Sequence, residues 1–317
     1  MDFQAFVYHQ ITARLAQFPR LHRIVRIIYH KCYSETSLNP AFRLSQSLVI
    51  AQQQLLANRL LDITITKKFV WTQINDRKFG SLYVPYDPIS RTGYYPYSKK
   101  MTSFADEQLF VALHKICKKE PTVIFDVGAN IGVTAIGFSS IFPKALLFAY
   151  EPVPTTFAIL AATIEKNKLE KISVFQCAIG ERVGTVRMTS DLNTGNYVVR
   201  GHEKETVSVP LTTIDEQTRK LSKMPELIKI DVEGHEWSVL QGAKRTLQLH
   251  HPTLVLELYS PWLRRSGSTA QQIVTFLQQL GYTYYCADTA TYASDSLASD
   301  LKKNLNFVFY AKLQKNQ

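Results

Sequence analysis

The sequence predicts an α/β fold, a Rossmann-like and mostly parallel sheet, and three observations carry that expectation. Residues 122–127, T-V-I-F-D-V, make a short, β-branched and largely apolar run without alternation, which is how a strand buried on both faces reads. Gly128, Asn130 and Gly132 then supply a tight turn, and residues 133–142 carry apolar side chains at helical spacing. The same strand–turn–helix alternation returns through residues 145–258. In such sheets ligands lie beyond the carboxyl ends of the strands.

The first turn separates two chemistries. A dinucleotide site presents G-x-G-x-x-G, with backbone N–H groups and a helix N-terminus facing a pyrophosphate. Here the pattern is D-x-G-x-N-x-G, starting at Asp126, and a phosphate beside that carboxylate would be repelled. A cationic ligand suits it better. S-adenosylmethionine (SAM) carries an ammonium and a sulfonium and no phosphate.

The later elements extend the pattern. Residues 145–150 are a second buried strand running into Glu151-Pro152. Glu151 follows Gly132 at about the twenty-residue distance where an acidic side chain meets ribose hydroxyls. Residues 154–167 are helical and 172–177 form a third strand. Ala178, at the turn after it, stands where an adenine edge would lie. Residues 184–188 and 206–211 are expected to pair, with the polar segment 191–205 between them as a loop at substrate level. Residues 227–232, L-I-K-I-D-V, are a fourth buried strand leading into Glu233-Gly234-His235-Glu236 and a helix at 237–249. Asp231, Glu233 and His235 therefore gather at a strand end, where an α/β enzyme places its chemistry. Residues 253–258, with Glu257, make a fifth strand. A helix at 270–280 and a terminal strand at 306–313 complete the chain.

The 103 residues before this region read differently. Residues 3–18 and 21–33 are basic amphipathic helices separated by Pro19, and 41–61 is a third helical stretch. Such faces can lie on an anionic membrane, but packing against the core or in a homodimer seam is the expected use. Residues 63–71 read as a strand, 76–80 as a turn and 81–84 as its partner. Residues 82–100 mix five of the sixteen tyrosines with Pro85, Pro88 and Pro96, a composition suited to a lid or to a surface loop pinned by stacked rings. A helix at 104–119 leads into the central strand. The expected division is an accessory region at 1–103 and a SAM-binding domain at 104–317.

Composition narrows the class. The 317 residues are 45% hydrophobic and 20% charged, an ordinary globular profile. The net charge of +11 is spread along the chain without a run of five or six like charges, so a nucleic-acid partner is not expected. Cys32, Cys117, Cys177 and Cys286 are far apart and lack zinc-ligand spacing, which fits free thiols in a reducing compartment. The early apolar residues are interrupted by His9, Arg14 and Gln17, and no 18-residue apolar span occurs. A cytoplasmic protein without a signal peptide or transmembrane helix is therefore expected.

Six segments occur in a telling order: V-I-F-D-V-G-A-N-I-G at 123–132, Y-E-P at 150–152, C-A-I-G-E-R-V-G at 177–184, V-P-L-T-T-I-D at 209–215, K-I-D-V-E-G-H-E at 229–236 and L-V-L-E-L at 254–258. Together they resemble the FkbM-type SAM-dependent methyltransferases over about residues 104–260. The block at 229–236 is the most specific, and residues 1–103 carry no such match. The resemblance implies a seven-stranded class I methyltransferase fold and O-methylation of a small hydroxylated acceptor, often a sugar or natural product. It implies that Gly128, Asn130 and Gly132 line the methionine part of SAM, that Glu151 binds its ribose, and that Asp231 sits near the methyl group. His235 departs from the small residue often found at its position.

Two other classes share the scaffold. A nucleotide-dependent oxidoreductase lacks its G-x-G-x-x-G here, and a SAM-binding adaptor without catalysis would not need Asp231, Glu233 and Glu257. For the reaction itself, alignment of nucleophile, methyl and sulfur can supply about 7–11 kcal/mol, and a base adds about 10²–10⁴-fold. Asp231 is the first candidate base, His235 the second and Glu233 the third. Asp231, Glu233 and Glu257 are also carboxylates of the type that suits magnesium, yet each has a use without metal, and metal-independent transfer is expected.

Overall fold

A computed structural model describes residues 61–65, 70–76, 80–86, 107–190, 197–199, 206–293 and 305–311. The expected helices at 3–18 and 21–33, most of the stretch at 41–61, and the Tyr- and Pro-rich segment beyond Tyr86 lie outside these residues.

The chain divides into two compact units. The first holds β1 (Leu61–Ile65), β2 (Val70–Asp76) and β3 (Gly80–Tyr86), an antiparallel sheet in the order β1-β2-β3. The sequence suggests a single strand at 63–71 paired with 81–84. Two strands stand there instead, because L-D-I-T-I and V-W-T-Q-I-N-D each alternate by themselves around a polar Thr-Lys-Lys. Leu61, expected to end a helix, opens β1. Asp76 faces Gly80 across the hairpin, and Tyr83 faces Gln73.

The second unit begins with α1 (Glu107–Ile116), β4 (Val123–Val127), α2 (Val133–Ile141), β5 (Leu146–Tyr150), α3 (Pro154–Lys166) and β6 (Ile172–Phe175). Next come β7 (Ala178–Ile179), β8 (Gly184–Thr189), β9 (Thr206–Thr212), α4 (Ile214–Leu221) and β10 (Leu227–Ile230). The chain continues through α5 (Glu236–Gln241), α6 (Lys244–His250), β11 (Thr253–Leu258), α7 (Ser260–Arg265) and α8 (Ala270–Gln279). It closes with β12 (Tyr282–Cys286), β13 (Thr291–Tyr292) and β14 (Leu305–Ala311).

The main sheet runs β13-β12-β14-β11-β10-β4-β5-β6. Strands β6, β5, β4, β10 and β11 are mutually parallel, while β14 and β12 run against their neighbours. Seven strands thus make the sheet, and the two-residue β13 adds an eighth at its edge. The chain winds outward from β4 through β6, then returns to place β10 on the other side of β4. That reversal between β4 and β10 is the switch point at which such sheets open a crevice.

Apolar residues place this core. Every residue of β4 and β10 is buried. Phe125, Ile228 and Leu256 have no exposed surface, and each such side chain contributes about 1.5–3 kcal/mol. Phe125 meets Phe148 and Tyr150 edge-on, and Tyr150 stacks on Phe175 at 5.2 Å. The small second sheet, β7-β9-β8, forms as the pairing of 184–188 with 206–211 anticipates, with Gly184 opposite Leu211.

Two expectations need correction. Residues 237–249 are not one helix, and the break falls at Gly242, where an added Cβ would come within 1.9 Å of the Gly180 carbonyl oxygen. The backbone leaves helical geometry there, with Gly242 at φ −80°, ψ 1° and Ala243 at φ −112°, ψ 3°. Strand β12 was not anticipated at all, because the tyrosine hydroxyls of Y-T-Y-Y-C disguise a segment that is almost wholly buried. Elsewhere, Asp215 joins helices. Its carboxylate accepts the backbone N–H of Arg245 at 3.0 Å and of Thr246 at 2.8 Å, so α4 caps α6. Among the described residues no helix is long and apolar enough to cross a membrane.

Candidate active site

A cleft opens at the carboxyl ends of β4, β5 and β10. Its lining includes Gly128, Asn130, Glu151, Pro152, Thr156, Cys177, Ala178, Met188, Val198, Asp231, Glu233 and His235. Eight of the sequence-predicted site residues therefore meet in one place. Asp126 and Gly132 do not line it. Asp126 is fully buried beneath the turn. Gly132, at φ 94° before α2, packs where a Cβ would stand 2.9 Å from Leu160. Of the segment 191–205, Tyr197–Val199 is described, and it brings Val198 to the cleft wall beside β8.

The acidic turn is built by close approach. Gly128 has φ 80°, and the N–H groups of Gly128 and Ala129 both donate to the Tyr150 carbonyl at 3.0 Å. Glu151 closes the other side: Oε2 accepts the Asn130 N–H at 3.1 Å and Oε1 the Val153 N–H at 3.0 Å. Burial pushes the Glu151 carboxyl up to about 7 against those two hydrogen bonds. Each oxygen keeps a second lone pair for a hydroxyl donor.

Beneath the turn lies an ion cluster. In the parallel register Lys229 on β10 stands opposite Asp126 on β4, and two residues on, Asp231 shares its face. The Lys229 ammonium lies 3.0 Å from Asp231 Oδ2, 3.3 Å from the Gly128 carbonyl oxygen and 3.6 Å from Asp126 Oδ1. At that last distance the Asp126 contact is an ion pair and not a hydrogen bond. Burial raises the Asp126 carboxyl, with Lys229 opposing it. Burial works against the Lys229 charge as well, yet Asp231 and Asp126 hold its ammonium above the ordinary range. For Asp231, burial would raise the carboxyl, but Lys229 and a hydrogen bond from Glu257 outweigh it and keep Asp231 below the usual range. Burial and the Asp231 charge push Glu257 up to about 9, so the proton of that pair sits on Glu257.

The block after β10 is shaped by Glu236. Glu233 takes a left-handed backbone at φ 55° and Gly234 follows at φ 100°. Glu236, 1% exposed, turns back so that Oε1 accepts the N–H of Val232 at 3.2 Å and of Gly234 at 3.1 Å. Left-handed geometry costs a non-glycine residue about 1–3 kcal/mol, and these two hydrogen bonds hold it in place. Burial, with Asp231 and Glu236 near, pushes Glu233 up to about 8. Burial against the backbone donors puts Glu236 at about 7. His235 lines the cleft, its Nδ1 sharing a hydrogen bond with Ser266 Oγ at 3.0 Å. Arg265 donates to the Glu233 carbonyl at 2.9 Å and lies over the Tyr197 ring at 3.7 Å.

Sequence reasoning missed Lys229 and Glu236. The signal for Lys229 was a lone cation inside an otherwise apolar strand, two residues before an aspartate. Glu236 left none, because only the folded turn shows that its carboxylate faces backbone donors. Among the described residues no three His, Cys, Asp or Glu side chains are grouped to hold a metal ion.

A profile of the methyltransferase FkbM domain matches residues 126–284, half of the chain. The chain belongs to the FkbM methyltransferase family. Methyltransferase sdnD of Sordaria araneosa is 25% identical over 244 residues, covering 66% of this chain and 92% of that protein. The 2-O-methyltransferase NoeI of Sinorhizobium fredii is 30% identical over 153 residues, 42% of this chain and 61% of its own length. The hexuronic acid methyltransferase AglP of Haloferax volcanii is 30% identical over 132 residues, 41% and 53% respectively. The family match begins at Asp126 and spans the cleft, so the clustered carboxylates of this methyltransferase lie within the shared domain.

Proposed function

We propose that the protein is a SAM-dependent O-methyltransferase acting on a hydroxyl of a small sugar or natural-product-like acceptor. The observation that carries this reading is the meeting of Glu151 and Asp231 in one acidic cleft at the switch point of a methyltransferase domain. The donor set fits SAM. The ionised Asp231 in the cleft lining suits a cation, and Glu151 has lone pairs for ribose hydroxyls. Gly128, Asn130 and Pro152 would hold the methionine and ribose parts, with Ala178 beside the base. When bound, SAM supplies a methyl group activated by a sulfonium. The sugar-like acceptor follows from the similarity to NoeI and AglP, whose own names state 2-O-methylation and a hexuronic acid.

The chain's own task is then alignment and a proton. Asp231 is ionised at neutral pH and takes the hydroxyl proton as base. Glu233, at about 8, holds its own proton there and is the weaker candidate. His235 is second, oriented through Nδ1 by Ser266. Lys229 already supplies a positive charge between Asp126 and Asp231, and we propose transfer without a divalent ion.

The test uses purified protein, SAM and a panel of hydroxylated sugars and polyketides, followed by mass spectrometry for the gain of one methyl group. We expect methylated product, turnover intact in EDTA, and kcat about a hundredfold lower or more in Asp231→Asn. Wild-type kcat retained by Asp231→Asn would remove Asp231 as base. Activity lost in EDTA and restored by magnesium would overturn the metal-free reading.

A further inference from the structure

We propose that Lys229 is a positioning residue of the cleft: its ammonium, locked between Asp126 and Asp231, holds Asp231 ionised and aimed at the cofactor, and ties the glycine turn to that carboxylate.

The geometry is specific. A lysine occupies the middle of a strand whose four residues are all buried, and it is itself only 7% exposed. A buried ammonium is strongly disfavoured unless it is paired, and a core strand gains nothing from one. Each of its three contacts belongs to the cleft machinery. Asp126 opens the glycine turn, the Gly128 carbonyl is part of it, and Asp231 lines the cleft. Lys229 therefore spans β4 and β10 across the switch point, fixing both sides of the crevice from below.

The charge balance around Asp231 gives the reason. Lys229 faces it from β10, Asp126 from β4 and Glu257 from β11, while Glu233 and Glu236 come from the turn and α5, with Arg265 behind Glu233. Four of these six groups are carboxyls on other elements, and each disfavours a charge on Asp231 when ionised. Lys229 is the cation in direct contact. Without it burial would act unopposed by any cation and push Asp231 toward the neutral acid, which neither attracts a sulfonium nor accepts a proton. The part of the inference that concerns SAM rests on the function proposed above; the relation between Lys229 and Asp231 does not.

The experiment follows the aspartate carboxyl carbons by NMR in full-length protein, with Asp231 assigned through Asp231→Asn, in wild type, Lys229→Gln and Lys229→Arg. An opposite charge at this range lowers a carboxyl by about 1–3 pH units. The Asp231 midpoint should therefore rise by at least about one pH unit in Lys229→Gln and stay low in Lys229→Arg. Should Lys229→Gln fail to fold, the double variant Lys229→Gln/Asp126→Asn is compared with Asp126→Asn alone, which isolates the loss of the lysine charge. An Asp231 midpoint unmoved in a folded charge-removing variant overturns the proposal. Calorimetry with SAM at pH 8 and at about pH 4.5 reads the positioning role. The ratio of variant to wild-type Kd should grow at the lower pH, because a midpoint raised by about one unit or more leaves Asp231 more fully protonated in the variant than in wild type. A ratio equal at both pH values would also overturn it. Wild type that binds no SAM would count against the cofactor reading, while the NMR titration still decides the charge relation.

Discussion

Gly128 and Asp231 touch through their backbones: a Cβ placed on Gly128 would stand 1.8 Å from the Asp231 carbonyl oxygen. The turn after β4 is thus pressed onto the end of β10. Gly281 offers a contrast. It shares a left-handed backbone, at φ 86°, but a Cβ there meets nothing within 4 Å.

The pair separates strain from collision. Gly281→Ala should cost about 1–3 kcal/mol for its backbone alone. Gly128→Ala must move the end of a core strand as well and should destabilise clearly more, with loss of SAM binding. Thermal denaturation of both variants checks this. Equal losses would mean that the close approach of turn and strand is relaxed at little cost.

Glu151 reports on the cofactor. Loss of its carboxylate removes acceptors for ribose hydroxyls, each bond to a charged group being worth about 1.5–3 kcal/mol. Glu151→Gln keeps one acceptor for the Asn130 or Val153 N–H and spares part of the turn. Calorimetry should show SAM affinity at least about tenfold weaker in this variant. Undiminished affinity in a folded variant would take Glu151 out of the site.

Stability should fall as pH rises. Glu151 and Glu236 stand at about 7, Glu233 at about 8 and Glu257 at about 9, all raised by burial from 4.5. The folded protein therefore holds protons that the unfolded chain has released. Their contribution is complete below 4.5 and is lost as pH passes upward through about 7 to 9. Asp231, held low, acts oppositely, and its contribution is lost only in stronger acid. Tm should decline from pH 5 to pH 9, and Glu257→Gln should flatten the upper part of the decline. A Tm that climbs across this interval would contradict the buried, protonated state of these carboxyls.

Much of this was legible in the residues. The strands β4, β5, β10 and β11 declare themselves as short apolar runs because both faces are buried, and the carboxylates at their ends mark the cleft. The tyrosine-rich β12 stayed hidden because hydroxyl-bearing rings do not read as apolar. Gly132 was grouped with Gly128 by spacing, although one packs on α3 and the other on β10; spacing alone does not say which side of a turn a glycine faces. Lys229 and Glu236 act through partners on other elements, Asp126 and the backbone of Val232 and Gly234, and such pairings exist only once the sheet has assembled.

Asp215 carries a consequence in time. Helix α6 has seven residues, too few to nucleate in isolation, and the carboxylate that caps it comes from α4, 31 positions before Thr246. Helix α6 therefore depends for its first turn on a carboxylate distant in the chain, and its amides should exchange with solvent whenever α4 lifts away, before those of the fully buried strands β4 and β10.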